Sequence, residues 1–208
     1  MGIRNTVLLG IRAVTAAVIT AGFLSMAIIG KEQILLPDFS DQVNKTKQSE
    51  AKAYIGMNLA QQAYYLQEYS RFTDSLDALQ VPIRKEGNCY RTDSYSYGVI
   101  KINSKGGSYG LTETDKQCNI PITNYTHQQD KDVNSYTSIQ TFAVARQEGL
   151  KSYTGGVFVI PNPSSPTAEM ITVRVACESE QPSKTLPPPP QLVDNTPQCP
   201  AGFVKLTK

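Results

Sequence analysis

The residues best suited to chemistry are four cysteines, Cys89, Cys118, Cys177 and Cys199. None belongs to a Cys-x-x-Cys pair, so the closely spaced thiolates of a structural zinc site are missing. An even number of widely spaced cysteines behind an export-type segment reads as two disulfides formed in an oxidising compartment. Four cysteines allow three pairings, and the residues alone leave the choice open. His127 is the only histidine and sits in the polar stretch NYTHQQDKD, where a solvated side chain is the ordinary outcome. No second histidine exists to build a zinc site, and no Ser-His-Asp arrangement has recognisable flanks. Asp130 and Asp132, with Glu113 or Asp115, offer the oxygen ligands that calcium takes. Their spacing does not fit the EF-hand loop, so a solvated loop is the simpler reading.

Two glycine pairs lack the features of phosphate loops. Gly106-Gly107 and Gly155-Gly156 carry no Lys-Ser/Thr tail and open no evident helix. The first reads as a hairpin turn and the second as a closely packed strand. Tyr90, Tyr95, Tyr97, Tyr109, Tyr125, Tyr136 and Tyr153 form a denser signal. Tyrosines facing out of a sheet make binding platforms for sugars, proteins or stacked bases. At alternating strand positions half of them face a core instead, and packing is the weightier expectation. Arg84, Lys85, Arg91, Lys101 and Lys105 lie near them in sequence, which leaves weak DNA capture thinkable but unspecific. Asn44-Lys-Thr and Asn124-Tyr-Thr match a glycosylation pattern that chance also produces.

The elements that must position these groups fit one domain plus an anchor in 208 residues. The formal net charge is only +2, with no dominant basic patch, so charge gives no nucleic-acid footprint. Residues 13–30 run AVTAAVITAGFLSMAIIG without a charge, about 18 residues and the lower edge of a membrane span. Arg4 and Arg12 precede the run, and Lys31 and Glu32 follow it. That asymmetry predicts a cytoplasmic N-terminus and an exported remainder. Ser25 and Ala27 also present small residues for cleavage after Ala27, so a retained anchor and a removed signal both fit.

Pro37 should kink or restart a helix. From residue 38 to residue 70 helix breakers are almost absent, with Asp38 or Ser40 as cap and acidic Asp41 in the first turn. Val43, Ala51, Tyr54, Ile55, Leu59, Ala63 and Leu66 recur near helical spacing and predict one apolar stripe. Of these, Val43, Ile55, Leu59 and Leu66 are the expected helix-to-sheet packing residues. A short second helix is expected over Asp74 to Gln80, capped by Thr73, with Leu76 and Leu79 inward. The period then changes to two. Strands are expected over Tyr95 to Ile102, Ser108 to Thr112, Ile139 to Ala145, Gly155 to Ile160 and Ile171 to Cys177. Pro187 to Pro190 predict an extended segment without a core of its own. Helices first and strands afterwards make the expected fold α+β, a long N-terminal helix on a small, mainly antiparallel sheet with disulfide-closed loops. The expected divisions are 1–36, the N-terminus and apolar helix; 37–176, the head; and 177–208, the proline-rich tail.

The stretch KQSEAKAYIGMNLAQQAYYLQEYSRFTDSLDAL, Lys47 to Leu79, resembles the helix of cyanobacterial type IV pilins and pilin-like proteins. LLPDFSDQVNK before it resembles that family's proline-kinked join between membrane helix and head. LKSYTGGVFVIP, Leu150 to Pro161, matches more weakly, and Cys177 and Cys199 look like the cysteines closing the family's terminal loop. The resemblance covers roughly a third of the chain. It implies a helix-and-head fold, assembly into or beside a filament by helix packing, and no catalytic residues. With local closeness, it also favours Cys89–Cys118 and Cys177–Cys199 among the three pairings.

The chain departs from the family near its start. Those pilins are cut between Gly and Phe ahead of the apolar run and carry a buried Glu that pairs with a neighbour's amine. Here the run holds no acidic residue, and the expected position falls near Thr20 or Ala21. Gly22-Phe23 lies within the run. These features predict a minor or pilin-like subunit, with other pilin subunits or pilus assembly machinery as partners and the membrane contacted through the N-terminal helix. The expected location is the cell envelope, with a periplasmic or extracellular head, or a released, pilus-associated protein. The alternative is a secreted or membrane-tethered binding protein holding carbohydrate, protein or DNA. An envelope enzyme is the weakest reading, because one histidine and no motif leave little machinery. No cofactor is expected.

Overall fold

A computed structural model describes residues 39–87, 89–103, 108–109, 118, 136–167 and 169–206. The chain divides into two units, Met1–Asp41 and Gln42–Lys208. The first contributes only residues 39–41 to the description, so the apolar run, Pro37 and Asp38 lie outside the described residues.

Helix α1 spans Phe39–Tyr69, with Asp41 in its first turn where a carboxylate complements the helix dipole. It ends at Ser70, whose backbone turns left-handed (φ 53°) while its N–H bonds the Leu66 carbonyl at 2.8 Å. Ala51 and Ile55 are fully buried and Leu59 nearly so, with Tyr54, Ala63 and Leu66 partly buried against the same core. Val43 departs from the expected stripe, since it is 45% exposed. It lies three and a third turns before Ile55, which rotates it about 120° off the buried face. Two polar residues, Asn58 and Gln62, complete that face, both at 0% exposure.

After α1 the expected second helix is replaced by consecutive turns. The capping chemistry is nevertheless present: Thr73 Oγ1 accepts from the Ser75 N–H at 3.1 Å and Ser75 Oγ from the Ala78 N–H at 3.2 Å. Leu76 and Leu79 still point inward, each 2% exposed. Seven residues are too few to offset helix nucleation, and the left-handed Gln80 (φ 53°) before Val81-Pro82 ends the segment.

Among the described residues ten strands follow: β1 (Lys85–Glu86), β2 (Cys89–Arg91), β3 (Tyr95–Asn103), β4 (Ser108–Tyr109), β5 (Tyr136–Ala145), β6 (Tyr153–Pro161), β7 (Met170–Ser179), β8 (Gln191–Val193), β9 (Thr196–Gln198) and β10 (Phe203–Lys205). Eight form one sheet in the order β1-β2-β3-β5-β6-β7-β10, with β4 paired to β3, and β8-β9 form a separate hairpin. Each pairing is antiparallel. β5 runs along the whole of β3, so β2 and β4 share the other edge of β3.

Alternation sorts the long strands onto two faces. Tyr95, Tyr97, Val99, Ile139, Ala143, Tyr153 and Val157 pack with Ile55 and Leu59 on the helix face. Ile100, Phe142 and Val144 cluster on the back with Leu186 and the Cys89–Cys118 bridge, while Phe158, Ile160, Val175 and Cys177 form a second back cluster. The proline-rich segment therefore has a packing role that composition does not reveal. Leu186 joins a back-face cluster, the Gln140 amide donates to the Pro187 carbonyl at 2.9 Å, and Pro190 lies beside Gly156.

Candidate interaction surfaces

The cysteines act on the fold. Cys89 is joined to Cys118 and Cys177 to Cys199, with Cα separations of 5.5 and 5.8 Å. The second bridge links β7 to the residue after β9, and β10 then pairs back on β7 through Phe203↔Ser179 and Lys205↔Cys177. Serines lock the crossing between them. Ser152 Oγ donates to the Ser183 carbonyl and accepts from the Ala145 N–H at 2.9 Å, while Ser179 Oγ accepts from the Ser152 N–H at 3.1 Å. Each of these buried groups is satisfied, so the tail is held by hydrogen bonds as well as by sulfur.

The tyrosine cluster is largely internal. Tyr95 and Tyr153 are fully buried and Tyr97 is 2% exposed. Their rings meet at 6.0 to 6.2 Å, and Tyr54 from α1 sits edge-on to Tyr97 at 5.2 Å. Tyr95 donates to the Lys151 carbonyl and Tyr153 to the Gln48 side chain, both at 3.1 Å. Burial pushes all three phenols well above their ordinary value, because a phenolate there would lose its hydration. These three build core and no platform. Tyr90 is half-buried under Lys85, and the side chains of Tyr109, Tyr125 and Tyr136 lie outside the description. Among the described residues the exposed rings are instead Tyr64 and Tyr69 on α1.

Neighbouring carboxylates neutralise the basic residues near that cluster. Lys85 pairs with Asp77 at 2.6 Å, Arg91 with Glu86 at 2.5 Å, Arg84 with Glu86 at 3.5 Å and Lys101 with Asp74 at 3.4 Å. The hydrogen bond from Arg91 holds the Glu86 carboxyl below its usual range, and that from Lys85 does the same for Asp77. Lys105 lies outside the described residues. So do His127, Glu113, Asp115, Asp130, Asp132 and Gly106-Gly107. Among the described residues no acidic, histidine or cysteine group could hold a metal. No described helix is long and apolar enough to cross a membrane.

Two features were not visible in the residues. A groove of about 460 Å³ runs between Lys52, Gly56, Leu59 and Ala60 of α1 and Arg174, Val175 and Ala176 of β7, with Leu206 beside them. Glu178 at one end ties Lys52 at 2.8 Å and Lys151 at 3.5 Å. Small residues at positions 56 and 60 were the only hint, and a helix of this length carries many such pairs. The second feature is the β8–β9 hairpin, all of whose β8 side chains are exposed.

One helix laid by its buried face on an antiparallel sheet, with a disulfide closing the C-terminal loop, defines a pilin-like α+β head. The family described as type IV pilin-like G and H matches residues 48–200, and the chain belongs to that family. No curated protein and no solved structure matches it.

Proposed function

We propose that the chain is a non-enzymatic minor subunit of a type IV pilus or related secretion filament, of the cyanobacterial kind. It works by assembly, surface display or adhesion in the cell envelope. The observation that carries this reading is the way α1 enters the head. Gln42, Val43, Lys45 and Thr46 are exposed, and the buried face begins only at Ala51. Free first turns suit a helix that arrives from elsewhere, here from the apolar run at residues 13–30. In this reading the run anchors the chain in the membrane, and other pilin subunits or the assembly machinery are its partners.

A second reading has one specific support. The apolar run lacks the acidic residue that would pair with a neighbour's amine, which favours a secreted or tethered binding protein on the same scaffold. The intact mass and N-terminal sequence of the mature protein, with its presence or absence in sheared filaments, separate the two. A chain retaining the run, or one starting within residues 16–23 with a methylated amine, and found in filaments, supports the subunit. A start at Ile28 and absence from filaments supports the binding protein.

A further inference from the structure

Two surfaces of the head complement one another, and among the described residues none fills either of them. The first is the groove between α1 and β7. Leu59, Ala176 and Leu206 make it apolar, with the backbone of Val175 between them, while Gly56 and Ala60 keep its rim low. A Cβ built at Gly56 meets nothing within 4 Å, so the space above that rim is open. Arg174 is exposed and makes no ion pair among the described residues, although Lys52 across the groove is engaged by Glu178.

The second surface is the β8–β9 hairpin. Leu192 is 38% and Val193 41% exposed on the outer strand of a ribbon whose other strand, β9, contacts β7. Asp194 and Asn195 adopt left-handed φ of 48° and 58°, which closes the ribbon in a tight two-residue turn. Asp194 makes no ion pair among the described residues. The base of the ribbon is fixed, because buried Pro190 abuts Gly156 and Cys199 is bonded to Cys177. A hairpin held at its base loses little conformational freedom when its tip is covered.

We propose that the β8–β9 hairpin of one copy docks in the α1–β7 groove of a second copy, with Val193 on the apolar floor and Asp194 against Arg174. The two sides of this contact are different surfaces, so it is head-to-tail and repeats from copy to copy without a two-fold axis. It rests on the subunit reading and names the contact that reading leaves open.

The test is sedimentation velocity of the full-length chain in detergent over a concentration series, for four proteins. The unaltered chain associates. Arg174→Asp and Asp194→Arg each weaken association by about tenfold or more, since like charges then meet at the contact. An equimolar mixture of these two variants recovers it, because each presents the charge the other lacks. The double swap recovers it as well. A chain that stays monomeric overturns the proposal. So do single variants that associate like the parent, and so does a mixture that stays dissociated while circular dichroism shows both variants folded. If the chain is found in sheared filaments yet the swaps change nothing, this contact is removed and the subunit reading stands. Absence from filaments with swap-dependent association does the reverse.

Discussion

Leu59 of α1 packs directly onto the backbone of Gly155 in β6. A Cβ at position 155 would lie 2.9 Å from Leu59 Cδ1 and 3.1 Å from the Val175 carbonyl oxygen. One of those neighbours is backbone and does not swing aside. Gly155→Ala should therefore lower stability by about 1–3 kcal/mol through overpacking. Gly56 on the same helix faces open space, and Gly56→Ala should raise stability by up to about 1 kcal/mol through helix propensity. Urea unfolding of both variants checks the opposite signs.

Gln62 and Asn58 are equally buried and should respond oppositely to loss of their amides. Gln62 donates to the Thr73 carbonyl at 2.5 Å and accepts from the Thr73 N–H at 3.4 Å, pinning the turn after the helix. Gln62→Leu leaves both Thr73 groups unpaired and should cost about 1–3 kcal/mol. Neither amide atom of Asn58 has a partner among the described residues. Asn58→Leu should be neutral or stabilising, because it removes an unsatisfied group and fills a similar volume. Thermal unfolding distinguishes the pair.

Ile55 and Val43 were expected to share a packing role, and they sit on different faces. Ile55→Ala should cost about 2–5 kcal/mol, the range for truncating a buried aliphatic chain. Val43→Ala should stay within about 0.5 kcal/mol, as for an exposed position. A comparable loss at Val43 in chemical denaturation would contradict the exposed placement.

Replacing Cys177 and Cys199 together by serine should lower stability by about 2–4 kcal/mol, the usual effect of removing a bridge of this kind. Its local signature is sharper. β10 is anchored by three residue pairs on β7 and lies just beyond Cys199. Hydrogen exchange at residues 203–206 should accelerate before exchange in β3 and β5 does. Uniform acceleration would show that the bridge stabilises the whole head equally.

Tyr95, Tyr97 and Tyr153 set a limit at alkaline pH. Their folded-state phenols titrate above the ordinary value of 10.0 because burial penalises the phenolate. Below that value both states hold their protons and the contribution to stability is fully present. Above it the unfolded chain ionises and the folded one does not, so stability falls as pH rises past about 10. The share of phenolate absorbance that belongs to these three rings should appear only together with loss of near-ultraviolet circular dichroism. Full ionisation with the fold intact would place these rings in solvent.

Long, repeated patterns were readable in the residues. The breaker-free stretch marked α1, and β-branched runs marked β3, β5, β6 and β7 to within a few residues. β1, β2, β8, β9 and β10 hold two or three residues each, too few for a period of two to show. Asn58 and Gln62 are polar, yet helix phase places both beside Ile55 on the buried face. The tyrosines at 95 and 97 lie two apart and share a face, but alternation alone does not say which face is covered.

By itself, the sequence determined the local states of this chain: where it can be helical, where it alternates, and how many thiols must find partners. Those follow from propensity and period, which depend on near neighbours. Only the tertiary structure decided that Leu59 meets Gly155, that the Gln140 amide donates to the Pro187 carbonyl, and that the proline segment covers the back of the sheet. It also decided that, among the described residues, a groove and an apolar hairpin stay uncovered. Contacts between residues tens of positions apart depend on how faces pair after the chain folds back, and burial is a property of those pairings.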